Sequence, residues 1–170
     1  RKLNPIANAT KAKGIKVYHL NIGQPDLHTP PEMLKAYHEF SDKILAYGPS
    51  QGLDLYREGL VKYYKRCGIE VKPDDIIVTT AGSEAITFAM MVVCEVGDEI
   101  MVPEPFYTNY NGFATMAGIN LVPITTYAED GFALPDNSTI EAKITNKTRA
   151  IMLCNPGNPT GTVYSNDEIF

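Results

Sequence analysis

Three short stretches of the chain combine residue types that binding chemistry uses. The first, Thr79-Thr80-Ala81-Gly82-Ser83-Glu84-Ala85, reads as a strand passing through a small-residue turn into a helix. The first N–H groups of a helix have no intrahelical acceptor, and the macrodipole favours an anion there. Gly82 lets the backbone approach closely and the hydroxyls add donors, so a phosphate fits. The alternative is that Thr80 or Ser83 simply caps the helix. The second stretch is Pro103-Glu104-Pro105-Phe106-Tyr107-Thr108-Asn109-Tyr110. Its aromatics can stack on a flat ring, and they suit ordinary packing as well. The third, Cys154-Asn155-Pro156-Gly157-Asn158-Pro159-Thr160-Gly161, places two Asn-Pro steps and two glycines in eight residues. Such a turn has little conformational freedom. Asn158 offers one acceptor and two donors, which suits a ring substituent such as a phenolate oxygen.

All three stretches follow apolar runs, and the surrounding pattern says what positions them. Strands are predicted at 16–22, 76–79, 99–103, 120–125 and 149–154. Helices are predicted at 31–43, 53–67, 83–95, 107–117 and 138–144, with residues 1–13 as an arm or short helix. Short β-branched strands alternating with helices of about ten residues imply parallel pairing with helices on both faces. The expected class is therefore α/β, a three-layer αβα domain around a mainly parallel sheet. Ligands of such sheets collect at the carboxyl ends of the strands, where all three stretches fall.

Composition narrows the function. The 170 residues carry a net charge of -5 without a basic run, which offers nucleic acid no electrostatic footprint. Cys67, Cys94 and Cys154 show neither a disulfide framework nor metal spacing and are expected as small buried core residues. No membrane-length apolar run or signal peptide is visible, so a reducing, cytoplasmic setting is expected. His19, His28 and His38 have no carboxylate or cysteine partner at metal spacing; surface or packing roles are expected. The chain starts without methionine and stops soon after an acidic pair, which reads as a fragment.

Five segments occur in one order: Asn-Ile-Gly-Gln-Pro-Asp at 21–26, Tyr47-Gly48, Thr79 to Ala85, Pro105-Phe106-Tyr107, and Asn158-Pro159-Thr160-Gly161. Together they resemble the class I/II pyridoxal-phosphate aminotransferases of the aspartate aminotransferase superfamily, over nearly the whole chain. The resemblance implies the type I fold, incomplete here, with residues 1–27 as an amino-terminal arm or small-domain segment. Residues 28–170 would be the first part of the cofactor-binding large domain. It implies pyridoxal 5'-phosphate as cofactor, its phosphate held by the amides of Ala81, Gly82 and Ser83. Tyr107 would stack on the pyridine ring, where many relatives use tryptophan. Asn158 would bond the phenolate oxygen and lie near the substrate carboxylate, and Gly23 would contact the substrate. Tyr47 would reach the phosphate of the other subunit, which implies a homodimer with shared sites.

The implied reaction moves an amino group from an amino acid to a 2-oxo acid. Alternatives with the same fold and cofactor are a β-lyase or a synthase; a non-enzymatic regulator that binds the cofactor is a third, against which the amino end shows no basic winged-helix pattern. The Schiff-base lysine, the pyridine-partner aspartate and the substrate arginine are all expected beyond Phe170. Ser165-Asn166-Asp167-Glu168-Ile169-Phe170 is similar to the family's aspartate-bearing strand but follows Gly161 too soon. Ser165 with Glu168 is instead predicted to form a capping box at a helix start.

Overall fold

A computed structural model describes residues 3–20 and 23–169. The chain divides into two compact units, Arg1–Tyr47 and Gly48–Phe170, each described here by itself.

The first unit holds two helices, α1 (Asn4–Ala12) and α2 (Pro31–Glu39), each with proline in its first turn, where the missing N–H costs nothing. α2 stops short of the predicted Lys43 because Phe40 is already extended, at φ -63° and ψ 118°. Ser41 and Asp42 follow, and such residues compete for backbone hydrogen bonds outside helices. The predicted strand at 16–22 does not form over Lys16–Leu20, which find no neighbouring strand among the described residues. Asn21 and Ile22 lie outside the described residues.

The second unit begins with α3 (Asp54–Arg66), closed by Gly68 in the left-handed region at φ +77°. The Ile69 and Gly68 N–H groups bond back to Tyr64 and Lys65 carbonyls, the pairing of a Schellman cap. Buried Arg57 joins α3 to the turn Pro73–Asp75: Nη1 donates to the Pro73 carbonyl at 2.8 Å and Nη2 to Asp54 Oδ1 at 2.6 Å. The predicted strand 76–79 is extended but joins no sheet. Its Val78 N–H donates to Gln51 O at 2.8 Å, and a lone backbone bond to a loop makes no ladder.

Then come α4 (Gly82–Val93), β1 (Glu99–Glu104), α5 (Asn109–Ala117), β2 (Asn120–Thr125), α6 (Asn137–Glu141), β3 (Thr148–Ile151) and α7 (Asn166–Ile169). The three strands form one parallel sheet in the order β2-β1-β3. In β1, Ile100 and Val102 pack with Met90 of α4 and with Tyr110, Phe113 and Ala114 of α5. Met101, on the opposite face, is fully buried as well, so both faces of the central strand are covered, as parallel sheets require. α5 ends on Gly118 with a second Schellman pairing, Ile119 to Ala114 and Gly118 to Thr115, and Ile119 enters the core beside Ala114.

At the amino ends of the strands, Asp98 Oδ2 accepts from Glu95 N–H and from Arg149 Nε, both at 2.9 Å. The Glu95 N–H first, and then Arg149, hold the Asp98 carboxyl below the usual carboxylate range. The expectation of three buried cysteines is corrected: Cys67 is exposed, and Cys94 and Cys154 are half-buried. Cys67 stands at the carboxyl end of α3, where the chain turns out into solvent.

Candidate functional site

β1 is followed by β2 on one side, after which the chain crosses over β1 to place β3 on the other. The strand order thus reverses between β1 and β3, and open α/β sheets bind ligands outside the carboxyl ends at such a reversal. Here those ends carry the second and third stretches. Pro105, Phe106 and Tyr110 from one, and Cys154, Gly157 and Asn158 from the other, line a common cleft. The cleft encloses about 20 Å³, room for one water. It is a packed seam between two walls.

In the first wall Phe106 and Tyr110 serve packing. Their rings stack at 6.1 Å with 20° between planes, and Tyr110 is buried in the core. Burial, with the Cys154 thiol beside it, pushes the Tyr110 phenol above its ordinary range. Tyr107 is only half-buried. Its edge meets Tyr110 at 5.4 Å and 87°, and its phenol oxygen accepts from Asn109 Nδ2 at 2.6 Å, so ring and hydroxyl are both anchored. Behind this wall Thr126 Oγ1 and N–H both donate to the Glu104 carbonyl, at 2.8 and 3.2 Å. The carboxyl ends of β1 and β2 are joined there.

In the second wall the two asparagines differ. The Asn155 carboxamide grips Tyr164 at two points, Oδ1 accepting from its N–H at 2.9 Å and Nδ2 donating to its carbonyl at 3.0 Å. Asn158 is exposed and makes no side-chain hydrogen bond among the described residues. Within the loop the Gly157 N–H donates to Thr162 O and the Gly161 N–H to Gly157 O, both at 2.8 Å. A Cβ on Gly157 would stand 2.5 Å from Thr160 Oγ1, so any side chain there would have to turn the Thr160 hydroxyl away. Asn155 and Tyr164 were not singled out by sequence; nothing in the Asn-Pro pattern distinguishes the gripping asparagine from the unengaged one.

The first stretch opens α4 with Ala81 as N-cap and no side-chain cap bond, so neither Thr80 nor Ser83 caps it. The N–H groups of Ala81, Gly82 and Ser83 have no acceptor among the described residues. Glu84 reaches back so that its Oε2 accepts from Thr80 N–H at 2.7 Å. That carboxylate offsets part of the positive field at the helix start, leaving the amides themselves as the anion donors. Ala81–Ser83 and Tyr107 do not line the cleft between the other two stretches.

Residues 15–169 match the family model described as aminotransferase class I and II. The chain belongs to that family. An aspartate/prephenate aminotransferase of Thermus thermophilus is 30% identical over 169 residues, 98% of this chain and 44% of that protein. A bifunctional aspartate aminotransferase and glutamate/aspartate-prephenate aminotransferase of Petunia hybrida is 32% identical over 160 residues, 93% of this chain and 33% of that protein. Among solved structures, an alanine aminotransferase from Pyrococcus furiosus superposes with a TM-score of 0.86 at 38% identity, over 98% of this chain and 44% of that one. An aspartate aminotransferase from Thermotoga maritima gives 0.90 at 29%, over 99% and 45%. The chain therefore spans less than half the length of these relatives. Its three-stranded sheet is a partial version of the type I aminotransferase α/β domain.

Two aminotransferase-type contacts from the sequence, Gly23 and Tyr47, fall in the first unit, and both residues are exposed. The motif around Gly23 is only partly described, since Asn21 and Ile22 lie outside the described residues. At the other end, α7 starts just after Ser165, and Glu168 Oε2 accepts from the Ser165 N–H at 2.8 Å and from its Oγ at 2.7 Å. Half of the predicted capping box forms: the serine hydroxyl turns to the carboxylate instead of to a helix N–H. Asp167 lies on this short helix and not on a strand. Among the described residues no helix is long and apolar enough to cross a membrane, and no group of acidic, histidine and cysteine side chains could hold a metal.

Proposed function

We propose that the full-length protein is a pyridoxal-phosphate-dependent aminotransferase that moves an amino group between an L-amino acid, aspartate-like or similar, and a 2-oxo acid. One observation carries this reading: the Asn-Pro-Thr-Gly loop and the aromatic wall meet where the strand order reverses, with the Asn158 amide unengaged beside them. A cofactor of this kind needs an anion cradle, a ring face and a donor for its phenolate oxygen. The chain has one group for each. The uncapped amides of Ala81, Gly82 and Ser83 suit the phosphate, Tyr107 offers a fixed aromatic face, and Asn158 offers the donor.

When bound, pyridoxal phosphate supplies the electron sink that makes the α-proton of an amino acid removable. The residues of this chain bind and orient. The three amides would hold the phosphate end of the cofactor through backbone N–H groups at the helix start. Tyr107, anchored by Asn109 and Tyr110, cannot swing away from a ring stacked on it. Asn158, on a loop fixed at Gly157 and Gly161, would offer a free carboxamide from a fixed backbone position. Gly23 is assigned to the substrate and Tyr47 to the phosphate of a second subunit, so the working form is a homodimer. Residues 1–27 are assigned to the amino-terminal arm and 28–170 to the cofactor domain. Three unpaired cysteines suit a reducing, cytoplasmic compartment.

The test uses the full-length protein. Its visible absorbance should carry the band of lysine-bound pyridoxal phosphate, and an amino acid donor should convert that band to the amine form with release of a 2-oxo acid. Asn158→Ala should shift the band and weaken turnover. No band at all would refute the reading, and a band without the amine form would point to a lyase.

A further inference from the structure

We infer that Asn155 is a positioning residue that holds Asn158 at the cofactor's ring oxygen, acting through its two-point grip on Tyr164. The inference rests on the assignment of Asn158 proposed above.

Residues 156–163 leave β3's extension and return to Tyr164, and the Asn155 carboxamide closes the neck of this excursion. It meets the Tyr164 N–H and carbonyl as a neighbouring strand would, at 2.9 and 3.0 Å. Tyr164 is itself fixed. It is buried, and its phenol donates to the Phe132 carbonyl at 3.5 Å, while Thr162 Oγ1 donates to the Gly131 carbonyl at 3.1 Å. Those two acceptors sit in a turn where Gly131 and Phe132 both have positive φ, 63° and 61°, a conformation an aromatic residue rarely adopts. The turn is closed by its own backbone bonds, Phe132 N–H to Tyr127 O at 2.8 Å and Gly131 N–H to Ala128 O at 3.1 Å, and Thr162 and Tyr164 dock on this pre-set surface. The loop is thus clamped at its neck and braced along its returning limb.

Asn158 sits on the outgoing limb with no side-chain bond of its own among the described residues. Its position is inherited from the backbone, through the Gly157–Thr162 and Gly161–Gly157 bonds and the neck behind them. Loss of the neck leaves the donor on the chain but releases its aim. A misplacement of about 1 Å is enough to lose an oriented hydrogen bond.

The experiment compares Asn158→Ala, Asn155→Ala and Asn155→Asp in the full-length protein loaded with pyridoxal phosphate, by titrating the visible band with pH. A donor to the phenolate oxygen favours that oxygen's charged form, so losing it raises the midpoint of the titration, by about one pH unit for Asn158→Ala. Asn155→Ala is expected to raise the midpoint in the same direction. Asn155→Asp retains the acceptor for the Tyr164 N–H but sets a carboxylate oxygen against the Tyr164 carbonyl; it should also raise the midpoint, and it serves should the alanine variant not fold. A purely structural role would lower the thermal midpoint and leave the spectral one in place. A shift in Asn158→Ala without one in folded Asn155 variants overturns the positioning role and leaves the Asn158 assignment standing. No shift in any variant overturns both.

Discussion

Replacing Gly52 with alanine is expected to be among the most damaging single-methyl additions to this chain. Gly52 has φ +101°, and a Cβ there would stand 2.6 Å from Val78 Cβ, with Val78 Cγ2 also in collision. The obstacle is the branch point of a side chain, which cannot rotate out of the way. The loop must therefore move, and the Gln51 O to Val78 N–H bond of 2.8 Å moves with it. The positive φ costs an L-residue about 1–2 kcal/mol, and overpacking adds about 1–3 kcal/mol. Together these give about 2–5 kcal/mol, a large share of a typical domain's stability. Urea unfolding of the full-length protein, followed by circular dichroism, measures the loss. Adding Val78→Ala removes the colliding Cγ2 and leaves the Cβ at 2.6 Å, so it should recover part of the overpacking term but none of the φ term. The double-mutant cycle should then show coupling of about 1 kcal/mol or more. Gly52→Ala within about 0.5 kcal/mol of wild type, or strict additivity with Val78→Ala, would refute the reasoning.

Two further outcomes follow from the same contacts. The Asp98 carboxyl lies below its ordinary range in the fold, so its stabilising interactions are complete above the unfolded carboxylate pKa and fade as pH falls through the folded value. The difference in urea midpoint between wild type and Asp98→Asn should be present at pH 7 and shrink below about pH 4; an unchanged difference down to pH 3 would count against the assigned bonds. Tyr107→Phe keeps the ring and loses only the Asn109 bond, so pyridoxal phosphate affinity by equilibrium dialysis should stay close to wild type, whereas Tyr107→Ala should weaken it roughly two- to tenfold. Equal losses in the two variants would mean that the hydroxyl, and not the ring face, matters.

Local chemistry made much of the second unit readable. The helices predicted at 53–67 and 107–117 end close to where expected, at Gly68 and Gly118, because only glycine enters the left-handed cap cheaply. The apolar runs at 99–103 and 120–125 became β1 and β2, β1 with Ile100, Met101 and Val102 buried on its two faces and β2 with Ile124 buried. The same criterion failed at 76–79 and 16–20. Each is apolar enough for a strand, yet a strand is a pairing, and neither finds its pair among the described residues. Helix α2 was overextended because its periodic residues continue past Glu39 while Phe40, Ser41 and Asp42 take the backbone out of the helix.

The site was legible as three segments and not as a place, for a topological reason. Strand order is set by non-local pairing: Ile100 of β1 pairs with Leu121 on one side and with Ala150, fifty residues on, on the other. No local period encodes which strand lies next to which. Only that order brings Phe106 and Asn158 to facing walls of one seam, and only the folded loop separates the structural Asn155 from the unengaged Asn158. The division between them is physical. A carboxamide whose oxygen and one N–H are both engaged by one backbone residue has a single N–H left for a ligand, whereas one with no side-chain bond among the described residues can donate to a cofactor oxygen without breaking a bond already made. That difference in hydrogen-bond saturation, more than the shared Asn-Pro pattern, is what supports the proposed division of binding to Asn158 and positioning to Asn155.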